Sequence, residues 1–331
     1  MGSVGLPEIP RRAFMATIAG GLLAAPLAAE GQQGRIVTLG YLSPAAGRNA
    51  VDESFEQALR EFGWETGRSI RIDARYSAGR QDKVRALVQE ALGGGVDILV
   101  TYGPPLAREA KRATSDIPVV FLTVSEPIGE GLVSSLAHPG GNMTGVLLSP
   151  PEVYGKRLEL LKEAVPGLTR VVVLQSTEFQ GSEVDSAIAA AAKALGLKLF
   201  NIQVEAPANL ESAFRKARDH GAQAVFVRGG GFFFSFAGQV ADLALARRLP
   251  CAFHVREGAM AGALFAYGPN LAAIARQGAA LVDKILRGRK PADLPVEQPT
   301  KFELVINMKI AKALGLTIPP SLLQRADDVI Q

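Results

Sequence analysis

Polar and aromatic side chains follow the predicted strands of this chain, at the points where the strands end. They comprise hydroxyls, one amide, one guanidinium and two phenols: Ser43, Tyr102, Thr123, Ser125, Gln175, Ser176, Thr177, Arg228 and Tyr267. Because the carboxyl ends of parallel strands meet at one edge of a sheet, ligands bind there. Hydroxyls and N–H groups at a helix start bind a carboxylate, and aromatic rings cover an apolar body. The pattern therefore predicts a site for a small polar molecule with an apolar body.

Residues beside these side chains belong to the same predicted site. They are Gly103, Pro104, Glu126, Gly230, Phe232 and Asn270. Arg228 is the predicted partner of a charged ligand group, and the alternative is an arginine that is ion-paired or faces solvent. Any single hydroxyl could instead cap a helix. At least one of the three residues Phe232–Phe234 is expected in the core, because successive residues of a helix face different ways.

The tripeptide Tyr-Gly-Pro occurs twice, at Tyr102–Pro104 and Tyr267–Pro269. Each copy closes an apolar run and opens a helical pattern. Since the N–H groups at a helix start point toward a ligand, the two turns are predicted to form opposite walls of one cleft. The alternative is coincidence, because Gly-Pro is a common turn sequence.

Signals for catalysis or metal binding are weak. The histidines His138, His220 and His254 are not at metal-ligand spacing with a second histidine or a carboxylate pair. Cys251 with His254 would supply only two ligands, which are too few for a metal site. The chain has neither a Gly-x-Ser-x-Gly elbow nor a phosphate-binding Gly-x-x-x-x-Gly-Lys loop. It is therefore predicted to have no cofactor, no metal and no catalytic activity.

Short β-branched runs alternate with longer helical patterns from Ile36 onward, which is typical of βαβ units around a parallel sheet. Strands are predicted over Ile70–Tyr76 and Arg170–Leu174, for example, and an amphipathic helix over Leu271–Leu286. A chain of 331 residues, 48% of them hydrophobic, is long enough for two such lobes with separate cores. The fold class is predicted to be α/β with two lobes.

The distribution of charge argues against one class of partner. The chain has 36 Lys and Arg residues against 32 Asp and Glu, a formal net charge of +4, and the basic residues are scattered. Surfaces that bind nucleic acid concentrate Lys and Arg on one face, with aromatic residues between them in many cases. No nucleic-acid partner is predicted.

The first 29 residues have the three-part build of an export signal. Arg11-Arg12 precedes the apolar segment Ala16–Leu27 and the small pair Ala28-Ala29. Paired arginines before Phe14 favour the twin-arginine route, and the general secretory route stays open. No cysteine ends the segment, so a lipid anchor is not expected, and no later segment has the ~20 apolar residues of a spanning helix. A cleaved signal and a periplasmic location are predicted.

Four segments match a known sequence pattern: Pro139–Gly145, Lys284–Gly288, Lys290–Asn307 and Ala311–Pro320. Through them the chain after the export signal resembles the ABC transporter substrate-binding proteins of the TrpX-like family. It departs from the usual family pattern at three turns, which begin at Ser125, Gln175 and Arg228. For this reason the identity of the ligand is not carried over.

The resemblance implies a type I periplasmic-binding-protein fold. Two Rossmann-like lobes with parallel sheets are joined by a hinge of three crossings, and lobe closure traps the ligand. The N-terminal lobe is expected over residues 34–149 and 268–290, and the C-terminal lobe over residues 150–267 and 291–331. The second Tyr-Gly-Pro then lies at a crossing between lobes. The resemblance also implies delivery to an ABC permease in the inner membrane with a cytoplasmic ATPase.

The predicted function is that of an extracytoplasmic solute-binding protein of an ABC importer. It is expected to act as a monomer that traps a small carboxylated ligand, an amino acid or an aromatic acid. One alternative is a periplasmic sensor domain that reports its ligand to a signalling partner. The other is an exported enzyme, which the lack of a catalytic constellation disfavours.

Overall fold

A computed structural model of the chain describes residue 2, residues 35–177 and residues 182–331. Apart from residue 2, the predicted export signal lies outside the described residues, as does part of the turn predicted after Gln175. All elements named below belong to residues 37–331, which form one compact unit.

The strands are β1 Val37–Ser43, β2 Ile70–Tyr76, β3 Ile98–Tyr102, β4 Val119–Val124, β5 Met143–Leu147, β6 Arg170–Ser176, β7 Lys198–Val204, β8 Ala224–Val227, β9 Cys251–Phe253, β10 Phe265–Pro269, β11 Phe302–Asn307 and β12 Asp328–Ile330. The helices are α1 Ala50–Glu61, α2 Val84–Gly93, α3 Pro104–Ala113, α4 Pro151–Ala164, α5 Ser182–Ala194, α6 Leu210–Asp219, α7 Gly231–Ser235, α8 Ala237–Ala246, α9 Arg256–Met260, α10 Leu271–Leu286, α11 Met308–Leu314 and α12 Pro320–Leu323.

Five parallel strands form the first sheet, in the order β2-β1-β3-β4-β5. Strand β4 shows why both faces of the sheet are buried. Its side chains alternate, so Val120 and Leu122 pack with α1 and α10, whereas Val119 and Phe121 pack with α2 and α3. A strand covered on both faces is a continuous apolar run, as here. This sheet and its four helices are called the first lobe.

Seven strands form the second sheet, in the order β12-β11-β10-β9-β8-β6-β7. Neighbouring strands are parallel except β10 and β11, which are antiparallel. In β6, Val172 and Leu174 pack with α6 and α8, and Val171 and Val173 pack with α4 and α5. This sheet and the other eight helices are called the second lobe. The prediction of an α/β protein with two lobes on mostly parallel sheets is confirmed.

The chain passes between the two sheets three times. It leaves β5 for α4, returns between β10 and α10, and leaves again before β11. Helix α10 packs against α1, β4 and β5 of the first lobe. The segment after it still belongs to this lobe, because Val146 and Glu297 form a bridge. The boundary expected between residues 290 and 291 precedes this bridge, and the lobe boundaries stay predictions.

The two copies of Tyr-Gly-Pro have different local structures. Tyr102 ends β3, and Gly103 leads into α3. The second copy lies wholly within β10, which runs to Pro269 because that residue still pairs with Phe302 of β11. Tyr267 is therefore in the middle of a strand and not in a turn.

Candidate functional site

A cavity of about 530 Å³, part of it open to solvent, lies where the carboxyl ends of the two sheets meet. Its polar lining side chains are Ser43, Asn49, Asp52, Tyr102, Thr123 and His254. Its apolar lining side chains are Pro44, Val51, Leu148, Phe234, Val255 and Leu271. Three glycines, Gly103, Gly230 and Gly231, complete the wall. The structure thus brings together Ser43, Tyr102, Gly103, Thr123 and Gly230 of the residues predicted from the sequence.

Each lobe contributes one glycine turn to the cavity. Gly103 precedes α3 with φ 81° and ψ 162°, and Gly230 precedes α7 with φ 108° and ψ 163°. This backbone region is accessible almost only to glycine. Helix α3 opens with Pro104 and Pro105, which have no N–H group. Its start therefore offers fewer donors to an anion than the sequence pattern suggested.

Asp52 is the only carboxylate among the described residues that line the cavity, and it is 4% exposed. It accepts hydrogen bonds from the hydroxyls of Tyr41 and Tyr76, at 2.7 and 2.9 Å, and from the N–H of Asn49 at 3.0 Å. Asn49 caps α1 by accepting from the N–H of Val51 at 2.8 Å, which completes a capping box with Asp52. Burial raises the pKa of Tyr41. The spacing of Asn49 and Asp52 is a sequence signal for this position that was missed.

Tyr102 has a buried hydroxyl oxygen without a hydrogen-bond partner among the described residues. Its ring lies 5.4 Å from the ring of Tyr41, with a tilt of 56° between them. Burial raises the pKa of Tyr102. Leaving a buried hydroxyl unpaired costs about 1–3 kcal/mol. A ligand atom or water molecule that pairs with Tyr102 is therefore favoured.

Thr123 has a φ of 61°, in the left-handed region that β-branched residues rarely adopt. It lies at an irregularity of β4, where the register against β5 shifts between Leu122 and Val124. Such bulges redirect a side chain, and strained residues cluster at binding sites. The strain at Thr123 is consistent with a ligand contact.

His254 follows β9 and lines the cavity from the second lobe. It is 6% exposed, and its Nδ1 is buried without a partner among the described residues. Burial, and after it the charge of Arg157, lowers the pKa of His254 well below its usual value. The imidazole is thus uncharged at neutral pH. From the sequence, His254 is considered only as a metal ligand and is rejected in that role, although its place directly after a strand is the same signal that selects Arg228.

Arg228, the predicted partner of a charged ligand group, is only 1% exposed. Its Nε donates a hydrogen bond to Oδ1 of Asp185 at 2.9 Å. It is not among the described residues that line the cavity. The structure therefore shows the ion-paired arrangement that was the alternative for this residue.

Ser125 and Glu126 line a neighbouring, larger cavity and not the one described above. The hydroxyls of Ser125 and Tyr154 form a hydrogen bond of 3.0 Å. The carboxylate of Glu126 accepts from the N–H of Val184, in the first turn of α5, at 2.9 Å. Both residues thus join the loop after β4 to the second lobe.

The remaining predicted residues lie outside the cavity lining. Phe232 is 2% exposed in the core, while Phe234 reaches the cavity. Tyr267 packs against the hydrophobic cluster on the α4 and α5 side of the second sheet. Asn270 caps α10 by accepting from the N–H of Ala273 at 2.8 Å. Pro104 opens α3, Gln175 and Ser176 end β6, and Thr177 follows them.

Further contacts join the two lobes beside the cavity. The Ser235 hydroxyl donates to the carbonyl oxygen of Pro44 at 2.6 Å. Gly79 lies against Phe236, so that a Cβ atom at Gly79 would be 2.7 Å from Cε2 of the ring. With the bond from Val184 to Glu126, these contacts join the two lobes around the cavity.

Two classes of feature are missing from the part of the chain that the structure describes. No group of three or more His, Cys, Asp or Glu side chains there could hold a metal ion. No helix there combines the length and the apolar character needed to cross a bilayer.

A comparison with protein families gives a match over most of the chain. The model for the ABC transporter substrate binding protein family matches residues 43–330. The chain belongs to this family. Its members bind solutes and are not enzymes, and the resemblance to TrpX-like substrate-binding proteins is confirmed.

Individual members of the substrate-binding protein family agree with this assignment. The tyrosine-binding protein of Clostridioides difficile is 26% identical over 268 residues, which are 80% of this chain and 76% of that protein. An ABC domain from Streptococcus pneumoniae, solved in complex with L-Trp, is 26% identical with a TM-score of 0.81. That match covers 89% of this chain and 100% of the other.

A third relative was solved without ligand. It is the open structure of a substrate binding protein with adhesive properties from Clostridium difficile, 24% identical, with a TM-score of 0.63. The match covers 89% of this chain and 100% of that chain. Together with the two lobes described above, these likenesses confirm the type I periplasmic-binding-protein fold.

Proposed function

We propose that the protein is the extracytoplasmic binding component of an ABC importer and traps a small carboxylated ligand between its lobes. The observation that carries this proposal is the cavity between the lobes, which holds a buried, unpartnered polar atom from each side: the Tyr102 hydroxyl and Nδ1 of His254. A ligand that pairs with such groups from both lobes stabilises the closed arrangement more than the open one, which is the requirement for ligand-driven closure.

The lining favours an α-amino acid with an apolar side chain. Asp52 is the only formally charged side chain among the described lining residues, so the cavity suits a cationic group such as an ammonium. The hydroxyls of Ser43 and Thr123 suit a carboxylate, and Phe234 and Leu271 suit an apolar body. The names of two relatives, one a tyrosine-binding protein and one solved with L-Trp, support an aromatic amino acid. An aromatic acid is the remaining candidate.

We propose that the three crossings between the sheets act as the hinge. The lobes predicted over residues 34–149 with 268–290, and over residues 150–267 with 291–331, then move relative to each other, and the segment at Glu297 moves with the first lobe to which Val146 joins it. The contacts of Ser235 with Pro44 and of Glu126 with Val184 would form on closure. Tyr267 and Asn270 flank the second crossing, and Asn270 also donates to Glu303 of β11 at 2.8 Å. Their proposed role is in the hinge and not in the ligand contact.

The remaining parts of the proposal follow from family membership and from the sequence. We propose that the closed protein delivers its ligand to an ABC permease in the inner membrane, which a cytoplasmic ATPase drives. We also propose export through a cleaved signal over residues 1–29, by the twin-arginine or the general secretory route. The mature protein would be a periplasmic, non-catalytic monomer without a lipid anchor.

A ligand screen on the purified mature chain tests the proposal. L-tryptophan, L-tyrosine, L-phenylalanine, benzoate and 4-hydroxybenzoate are tested by thermal unfolding and by calorimetry. At a concentration of about 100 times its Kd, a ligand adds ~2.7 kcal/mol to stability. We expect stabilisation by at least one aromatic amino acid. In the Asp52→Asn variant, binding of the amino acid should weaken while any binding of benzoate should not. If none of the five compounds binds, the proposed ligand class is wrong.

A further inference from the structure

His254 is held on the second-lobe wall of the cavity by close contacts. A Cβ atom on Gly229 would lie 3.3 Å from the imidazole, and one on Gly268 would lie 1.8 Å from the carbonyl oxygen of His254. The imidazole stacks on Phe253, with ring centroids 5.2 Å apart and an angle of 25° between the planes. Because neighbouring groups pack this closely, the imidazole has a defined position at the cavity.

One polar atom of this imidazole has no use in the part of the protein that the structure describes. Nδ1 is buried and has no partner among the described residues. In protein structures, the great majority of buried polar side-chain atoms have a hydrogen-bond partner, and an exception calls for an explanation. His254 lines the cavity, so a bound ligand is the natural partner of its ring.

The charge that acts on His254 belongs to Arg157 of α4. Arg157 is 1% exposed, and its guanidinium carbon lies 4.5 Å from the ring centre of Phe226 and 5.1 Å from that of Tyr154. Its Nη2 donates to the carbonyl oxygen of Arg228 at 3.2 Å. Its Nε and Nη1 have no partner among the described residues. Burial lowers the pKa of Arg157 to about 10, so it still carries its charge at neutral pH.

We propose that His254 donates a hydrogen bond to the bound ligand from its fixed place on the second-lobe wall. We also propose that Arg157 is a positioning residue, bonded to the Arg228–Gly229 loop against which the imidazole packs. The proposal rests on the proposed function, because it assigns a contact in the same cavity. An uncharged imidazole carries its proton on one nitrogen. The ring nitrogen that carries the proton donates it to a carboxylate or hydroxyl oxygen of the ligand.

Other titratable groups surround His254 on each side. They are Cys251 on its own strand, Glu257 on α9, Arg228 on the neighbouring loop, and Asp52 and Tyr102 across the cavity. Burial raises the pKa of Cys251 to about 12 and also raises the pKa of Glu257. Both shifts favour the protonated, uncharged forms of these two side chains. Arg157 and burial both disfavour a charged imidazole.

Binding of L-tryptophan and L-tyrosine tests the ligand contact. His254→Phe keeps a planar ring without a donor, and we expect its Kd for the tighter of the two probes to rise about tenfold. His254→Gln keeps a side-chain N–H, and its Kd should stay within about threefold of the wild type. His220→Gln is the control, because His220 is exposed at the end of α6. Equal Kd values for the wild type and His254→Phe would overturn the contact.

Nitrogen-15 NMR of histidine-labelled protein without ligand tests the charge state separately. The chain has three histidines, and the His254→Gln spectrum identifies the signals of His254. We expect an uncharged imidazole that does not titrate in the pH range around 6.5, where a free histidine does. In Arg157→Met the titration midpoint of His254 should rise toward that range, whereas Arg157→Lys should leave it in place. Titration of wild-type His254 in this range, or an unchanged midpoint in Arg157→Met, would overturn the role of Arg157.

The two experiments separate the possible failures. If the wild type binds a probe and His254→Phe binds it equally well, the proposed function stands and His254 is not a ligand contact. If neither probe binds the wild type, the proposed aromatic amino acid is wrong, and the contact with it is overturned too. The NMR result decides the charge state of His254 in either case.

Discussion

Gly268 lies directly against the main chain of His254, since a Cβ atom on Gly268 would be 1.8 Å from the His254 carbonyl oxygen. No side chain fits in this space. Gly268 is the middle residue of the second Tyr-Gly-Pro, and β10 pairs with β9 just before it, through Ala266 and Phe253. The glycine therefore lets β10 approach the end of β9, which in turn places His254 on the cavity wall.

Replacing Gly268 with alanine should damage both the fold and the site. The main chain of His254 must move to make room, and we expect Gly268→Ala to lower the free energy of unfolding by about 3 kcal/mol. Urea unfolding measures this, and ligand affinity should fall as well. Gly238→Ala is the matched control, because nothing lies within 4 Å of a Cβ atom there and Gly238 belongs to α8. Alanine favours the helix, so this variant should be as stable as the wild type or slightly more stable.

The two Tyr-Gly-Pro tyrosines should respond differently to loss of their hydroxyls. Tyr102→Phe removes an unpartnered hydroxyl at the cavity, and we expect ligand affinity to fall about threefold to tenfold with little change in stability. Tyr267→Phe should leave affinity unchanged, because Tyr267 packs away from the cavity against the second-sheet cluster. Calorimetry with the amino acid identified by the screen makes the comparison. Equal losses in both variants would contradict this assignment.

The Tyr-Gly-Pro repeat shows which wall of the cavity can be predicted from the sequence and which cannot. Alternating apolar runs locate strand ends, so Ser43, Tyr102 and Thr123 could be predicted at the site. The opposite wall could not be found in this way. The repeat predicts that the second Tyr-Gly-Pro forms the wall opposite Tyr102. In the structure, the glycine turn opposite Gly103 is at Gly230, whose backbone conformation matches that of Gly103. The pairing of β10 with β11 decides this, and it joins residues distant in sequence.

Thr123 offers a way to separate backbone strain from ligand contact. Thr123→Ala and Thr123→Gly both lose the hydroxyl, but only glycine adopts a φ of 61° without strain. We expect Thr123→Gly to be about 1 kcal/mol more stable than Thr123→Ala by urea unfolding. Both variants should bind the ligand about tenfold more weakly than the wild type. If the two variants unfold at the same urea concentration, Thr123 is not strained.

His254 should make the protein less stable in acid. Its pKa in the folded state lies well below the ordinary value of 6.5. Below about pH 6.5 the unfolded chain therefore binds a proton that the folded protein does not. Stability should fall as the pH drops from there to the folded-state pKa, with a slope of at most about 1.4 kcal/mol per pH unit from this group. Above about pH 6.5 His254 contributes no slope.

Urea unfolding over this pH range measures the effect. His254→Gln should remove this part of the slope, because glutamine does not titrate. His220→Gln should retain it, since His220 is exposed in the folded protein as in the unfolded chain. A slope that is the same in His254→Gln and in the wild type would mean that another group causes the acid sensitivity.

Buried charge was the least predictable part of the site. Arg228 was expected to face a ligand, because it follows a strand and carries a positive charge. The structure pairs it with Asp185, which lies 43 residues earlier in the chain. Asp52 was not selected at all, although it is the carboxylate that lines the cavity. The Arg228–Asp185 pair joins residues that are distant in sequence, so no local pattern predicts it. Asp52 does have a local signal, its capping-box spacing from Asn49.

Glu126 should control closure of the two lobes. Its carboxylate accepts a hydrogen bond from the N–H of Val184 across the cleft, at the positive end of α5. Losing a cap of this kind costs about 1 kcal/mol. If the contact exists only in the closed form, Glu126→Ala should raise the Kd about fivefold and leave the stability of the ligand-free protein unchanged. Small-angle scattering at subsaturating ligand should show a larger fraction of open molecules.

Two variants show whether the effect comes from the contact across the cleft. Glu126→Gln keeps an oxygen that can accept from Val184, so its Kd should lie between those of the wild type and Glu126→Ala. Glu152→Ala removes an exposed glutamate from the first turn of α4 and should not change the Kd. If Glu126→Ala lowers the stability of the ligand-free protein as much as it lowers affinity, the contact persists without ligand. In that case Glu126 supports the fold in both states and does not control closure.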